Sequence, residues 1–174
     1  MNSPRERILE VTSELFHQQG YNSTGINQII KEAKVAKASF YQHFESKENL
    51  CVEYLNNRHT YWLSEFSKFI STEKEPKSKT LRAFDFIIFM NENEHFRGCA
   101  FLNILSEISK EQHNILSIIQ SHKSALRNSF MELIDNELIA LNVYLLFESA
   151  IIESQLFQAN EIVHKTKIIV NHII

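Results

Sequence analysis

The stretch Thr24-Gly25-Ile26-Asn27-Gln28-Ile29-Ile30-Lys31-Glu32-Ala33-Lys34-Val35-Ala36-Lys37-Ala38-Ser39-Phe40-Tyr41-Gln42-His43-Phe44 decides the fold. Thr24 reads as an N-cap. Ile26, Ile29, Ile30 and Ala33 follow at helical spacing and predict one buried side. Lys34-Val35-Ala36 interrupts, and Phe40 and Phe44 then mark the inner side of a second short helix. Two helices of about eight residues joined by a turn of about three or four have helix-turn-helix proportions. The second helix of such a pair fits a DNA major groove and needs donors on its outer face. Here that face offers Lys37, Ser39, Tyr41, Gln42 and His43. Lys31 to Lys47 holds four lysines and two glutamates, a local +2 in a chain whose net charge is −3. That asymmetry suits a protein that meets phosphate at one end only.

The rest of the chain supports an all-α reading. Three glycines and two prolines in 174 residues are about 3%, against roughly 12% in average proteins. A sheet protein needs far more turn residues. Gly20, Gly25 and Gly98 are too scattered for a dinucleotide fingerprint or a P-loop. Apolar residues make up 44%, enough to bury a core. Cys51 and Cys99 lie far apart with no CxxC, which fits a reducing compartment rather than a disulfide scaffold. The segment 1–7 is polar and does not read as a signal peptide. The longest apolar stretch, 138–147, contains Asn142 and falls short of the roughly 20 residues of a membrane span. A cytoplasmic protein without membrane contact is expected.

Outward from the opening pair, Ser3-Pro4-Arg5-Glu6 is a capping box with proline at the first helical position. It predicts a helix over Pro4 to Gln19, stopped by Gly20. Ser46-Lys47-Glu48 opens a fourth helix with Leu50, Tyr54, Leu55, Trp62, Phe66 and Phe69 along one stripe. Ser71 to Lys79, containing Pro76, reads as a linker. Leu81 to Ile88 marks a fifth helix, Cys99 to Leu105 a sixth and Ile115 to Leu133 a seventh. Leu138 to Phe157 is apolar on nearly every side, and Asn160 is placed to cap a ninth. A helix that is apolar all round must be covered all round. One side can pack on its own subunit; the other predicts a second copy, through Leu145, Ile152, Leu156 and Ile169. The alternative is a central helix within one chain.

The first 50 residues or so resemble the tetracycline-repressor (TetR) family of bacterial transcription regulators. The matching residues are Gly20-Tyr21, Thr24, Ala33-Lys34-Val35, Ser39-Phe40-Tyr41-Gln42-His43-Phe44 and Ser46-Lys47-Glu48-Asn49-Leu50. Four positions depart from the family pattern. Lys34 stands for a turn glycine, Ala36 for a capping serine, Gly25 for a small hydroxyl residue and Ala38 for glycine. Arg97-Gly98-Cys99-Ala100-Phe101-Leu102-Asn103 with Glu107, and the pair His122-Lys123, resemble one subgroup of the family. The resemblance implies a helix-turn-helix head over residues 1–48 and a helical effector-binding and dimerisation body over 49–174. It also implies a homodimer through the last two helices. Contacts to DNA are expected from Thr24, Lys37, Ser39, Tyr41, Gln42, His43 and Lys47. His43 reads equally as a core histidine or a phosphate donor.

A small apolar or aromatic effector is expected among the middle helices, lined by Trp62, Phe66, Phe89, Phe101, Asn103, Glu107 and His122. Asn103 and Glu107 lie one helical turn apart and so share a face. Each of these residues has a plainer reading, in core packing or in polar side chains that satisfy one another. No His pair has metal-ligand spacing and no catalytic motif is present, so neither a metal, a cofactor nor an enzyme is expected. The function that follows is a DNA-binding regulator, a repressor by resemblance, that reads a pseudo-palindromic operator as a homodimer and is released by the effector. The alternative is a ligand-binding or protein-interaction dimer that keeps the head fold without reading DNA.

Overall fold

The computed structural model describes residues 2–174. Among them nine α-helices follow in order, with no strand: α1 (Pro4–Gln19), α2 (Ile26–Glu32), α3 (Lys37–His43), α4 (Lys47–Ile70), α5 (Pro76–Asn93), α6 (Ala100–Leu105), α7 (His113–Leu133), α8 (Glu137–Phe157) and α9 (Glu161–Ile173). The chain divides into two compact units. One comprises the residues up to His59 together with Ala100–Ser121; the other comprises Thr60–Cys99 and His122–Ile174. The division falls inside α4, and α6 with the first part of α7 belongs to the first unit.

In the first unit, the capping box forms as the sequence predicts. Glu6 N–H donates to Ser3 Oγ at 3.3 Å and Ser3 N–H donates to Glu6 Oε2 at 2.7 Å. Helices α1, α2 and α3 pack on one another, burying Ile8, Phe16, Ile29, Phe40 and Phe44. Phe16 meets the rings of Tyr21 and Tyr54 edge-on at 5.4 and 5.6 Å, a favoured aromatic geometry. The α6–α7 segment is pinned to the α1–α2 loop by polar bonds. Asn22 Nδ2 donates to Glu107 O at 2.8 Å, and Gln112 Nε2 donates to Tyr21 Oη at 2.9 Å.

Two local expectations are corrected. Thr24 does not cap α2: Gly25 holds that position, with no side-chain bond. The Thr24 hydroxyl instead donates to Gly20 O at 2.7 Å and accepts from Gln19 at 3.0 Å, closing the loop internally. The linker is also shorter than Ser71 to Lys79, because α5 already starts at Pro76. Proline's fixed φ and missing N–H suit the first helical position.

In the second unit, α5, α8 and α9 pack together. Its core is a cluster of rings: Phe66–Phe86 at 5.6 Å, Phe84–Phe147 at 5.5 Å and Phe130–Phe147 at 5.2 Å. Each buried phenylalanine contributes roughly 1.5–3 kcal/mol of burial free energy, so most of the chain's many phenylalanines are accounted for by core packing. Lys167 Nζ meets Asp85 Oδ1 at 2.6 Å and ties α9 to α5. Asn160 holds the N-cap position of α9 without a side-chain bond to the helix; its Oδ1 accepts from Asn91 Nδ2 at 2.9 Å, joining that end to α5. Along α8, Ala140, Val143, Tyr144, Phe147 and Ala150 face the core, while Leu138, Leu145, Ile152 and Leu156 are exposed. No helix among the described residues is long and apolar enough to cross a membrane.

Candidate nucleic-acid interface and cavity

The donor face of α3 is set by the burial of its aromatic side. Phe40 is fully buried and Phe44 nearly so. That anchoring turns Lys37, Gln42 and His43 to solvent, leaves Ser39 half-buried and exposes Tyr41 at 46%. Of the two readings of His43, the structure places the ring on the exposed face. Lys34, in the turn, is exposed as well. Thr24 is the exception among the expected contacts: its side chain is fully buried and committed to the loop.

Two departures seen in the sequence have geometric consequences. Lys34 has φ of 52°, a left-handed conformation that costs an L-residue roughly 1–2 kcal/mol. Ala36 caps α3 without a side-chain hydrogen bond. The compensation comes from α1, which the sequence did not signal: Arg7 donates from Nε to Ala33 O at 3.1 Å and from Nη2 to Lys34 O at 3.4 Å.

Lys47 opens α4 in a half-buried position, with its ammonium 4.4 Å from the Tyr21 ring centre. Burial lowers its pKa, against the opposing pull of Cys51 and Glu107. Cys51, one turn along, is fully buried, and burial pushes its thiol pKa up to about 12.

The second unit contains a small cavity of about 30 Å³ lined by Trp62, Phe86, Met90, Asn91, Glu94, Cys99, His122, Lys123 and neighbouring apolar side chains. That is room for about one water-sized group, well below the usual volume of a drug-sized ligand site. Trp62 and His122, both expected in a pocket, line it and meet edge-on at 5.4 Å. Phe66 is stacked behind Trp62 at 5.3 Å within the ring core, and Phe89 is exposed. Phe101, Asn103 and Glu107 lie in the first unit. The Glu107 carboxylate accepts the backbone N–H of Asn22 at 2.6 Å.

Lys123 and Asn91 are cavity residues that the pocket reading left out. The only sequence signal for Lys123 was its place beside His122. Its ammonium bridges both oxygens of Glu148 at 2.6 and 2.8 Å. Burial acts to lower the Lys123 pKa, but attraction to Cys99 and Glu148 outweighs it and holds the pKa above the usual lysine value. Among the described residues, no group of three or more His, Cys, Asp or Glu side chains is placed to hold a metal.

Comparison with known proteins converges on the same head. The bacterial regulatory proteins of the tetR family match this chain over residues 8–54. An HTH-type transcriptional regulator encoded in the lacX 3′ region of Lactococcus lactis subsp. lactis is 25% identical over 134 residues, covering 76% of this chain and 68% of that one. The HTH-type transcriptional regulator QacR of Staphylococcus aureus is 39% identical over 64 residues. There the match spans 37% of this chain and only 34% of QacR. The fold extends further than the sequence match. The crystal structure of a TetR-family transcriptional regulator from Streptomyces coelicolor superposes with a TM-score of 0.89 at 22% identity, covering 98% of this chain and 87% of that one. Over residues 8–54 the chain thus matches the tetR family of bacterial regulatory proteins, and over nearly its whole length it shares the fold of solved TetR-family structures.

Proposed function

We propose that this protein is a DNA-binding transcriptional repressor that acts as a homodimer and is released from DNA by a small apolar or aromatic effector. The observation that carries the reading is the exposed donor face of α3, with Lys37, Tyr41, Gln42 and His43 turned outward by the buried Phe40 and Phe44. Two such heads in successive major grooves would stand about 34–36 Å apart on a pseudo-palindrome. Bound across a promoter, they would exclude the transcription machinery.

The dimer rests on α8 and α9. Leu145, Ile152, Leu156 and Ile169 are all about half exposed or more in the single chain. Isolated exposed apolar residues are ordinary, but several of them on two helices that pack together call for a partner surface. A second copy supplies an identical apolar row by two-fold symmetry.

The effector reading rests on the cavity beside Trp62 and His122. Because its present volume is so small, a ligand must push its walls apart to enter. α4 and α7 each contribute residues to both units, so a displacement of these helices is carried along continuous backbone into the head. Release is then a shift in population between two dimer geometries.

The test uses duplexes selected from a random pool by the native chain. The reading requires a two-fold-symmetric sequence, one dimer bound per duplex in sedimentation, and affinity that falls steeply with salt. If no sequence is enriched and binding is absent at low salt, the head does not read DNA and the repressor reading fails.

A further inference from the structure

We infer that Arg7 is a positioning residue for the reader helix α3, acting through the turn at Lys34 and not through a contact of its own to DNA. The inference rests on the DNA-binding reading above. Helix α3 has only seven residues and no side-chain bond at its N-cap. The turn that aims it passes through Lys34 at φ 52°, a conformation that an L-residue leaves unless its surroundings fix it. The dihedrals of Lys34 are set by the relative orientation of the two peptide planes on either side of its Cα. Those planes carry the carbonyls of Ala33 and Lys34.

Arg7 donates to both, from Nε at 3.1 Å and from Nη2 at 3.4 Å, while Nη1 donates to Asn2 O at 3.1 Å. A guanidinium is planar and rigid, so a fork across two carbonyls fixes their mutual angle in a way a single point donor does not. The same helix also braces the far end of α3: the Arg5 guanidinium lies 5.5 Å from the Phe44 ring centre and pairs with Glu53 at 2.8 Å. The first turns of α1 thus hold the reader helix at its entry and at its exit, in place of the glycine and the cap that the turn lacks.

The experiment measures binding to a duplex selected by the native chain and to a shuffled duplex of the same composition, with Arg7→Lys, Arg7→Gln, Lys34→Gly and the double variant Arg7→Lys/Lys34→Gly. Circular dichroism checks that each is folded. Arg7→Lys keeps the charge but loses the fork. It is expected to weaken binding to the selected duplex by about tenfold or more while leaving the shuffled duplex nearly unaffected. In the Lys34→Gly background the same change should cost little, because glycine adopts the turn without a clamp. Arg7→Gln should follow Arg7→Lys.

Three outcomes overturn the inference. A direct phosphate contact would leave Arg7→Lys close to native and Arg7→Gln weak on both duplexes. A general structural role would weaken both duplexes equally. An unchanged penalty in the Lys34→Gly background would show that Arg7 does not act through the turn. If the native chain selects no duplex at all, the DNA-binding reading itself fails, and the inference fails with it.

Discussion

The carboxylate of Glu107 accepts the backbone N–H of Asn22 at 2.6 Å, across 85 residues of sequence. It also lies against Gly20: a Cβ on Gly20 would sit 2.6 Å from Glu107 Oε1. Gly20 has φ 95° and ψ 166°, a region essentially restricted to glycine. Gly20→Ala is therefore expected to lower stability by about 1–3 kcal/mol, read from urea unfolding. The backbone alone imposes part of that cost. Glu107→Ala should recover only the share due to the clash, and full recovery would mean that the Gly20 conformation carries no strain.

Contacts to phosphate and to bases should separate by mutation. Lys47→Ala and Tyr41→Phe are expected to weaken binding by a similar factor on all operator variants, since phosphate contacts position without specifying. Lys47→Ala should also reduce the slope of log affinity against log salt by roughly one phosphate's worth. Changing Gln42 or Ser39 should shift base preference in a selection experiment. If Lys47→Ala altered the preferred sequence with affinity intact, the assignment of these two groups would be reversed.

The row on α8 should be sensitive to charge. Leu145 is 54% exposed and Ile152 49% exposed in the single chain, so a glutamate at either site costs little within one copy. In a dimer it would be buried against an apolar surface, which is strongly unfavourable without a partner. Leu145→Glu and Ile152→Glu are each expected to sediment as folded monomers with native helix content. Dimers from both variants would place any self-association on another surface.

Cys51 provides a pH dependence whose sign follows from burial. Its thiol pKa is raised from 9.0 to about 12 in the folded chain, burial being the main cause and Lys47 opposing it. An acid with a raised folded pKa holds its proton in the native state after the unfolded chain has lost it. Its contribution is fully present below pH 9 and is lost as pH rises towards 12, by about 1.4 kcal/mol per pH unit. Tyr21 and Tyr144, also raised by burial, add to the alkaline loss. The difference between native and Cys51→Ala isolates the thiol. The variant should show a shallower loss of stability above pH 9, and parallel profiles would mean that Cys51 titrates normally.

Much of this is legible in the sequence. Repeats of about three to four residues, few glycines and prolines, and the capping box at Ser3 fix where helices start and which side each buries, because those are properties of neighbouring residues. The donor face of α3 follows from Phe40 and Phe44 in the same way, and the outward row on α8 from having more apolar surface than one subunit can cover. Non-local relationships were not legible. Sequence spacing put Glu107 and Asn103 on one helical face and made them pocket candidates, but only the folded chain brings Glu107 to the backbone of Asn22. Lys123 read as half of a pair with His122, and its ion pair with Glu148 joins α7 to α8 through a contact that no local pattern encodes. The turn at Lys34 shows the division most clearly. The sequence showed a residue unsuited to positive φ, and only the tertiary structure supplied Arg7, from a different helix, as the group that holds it there.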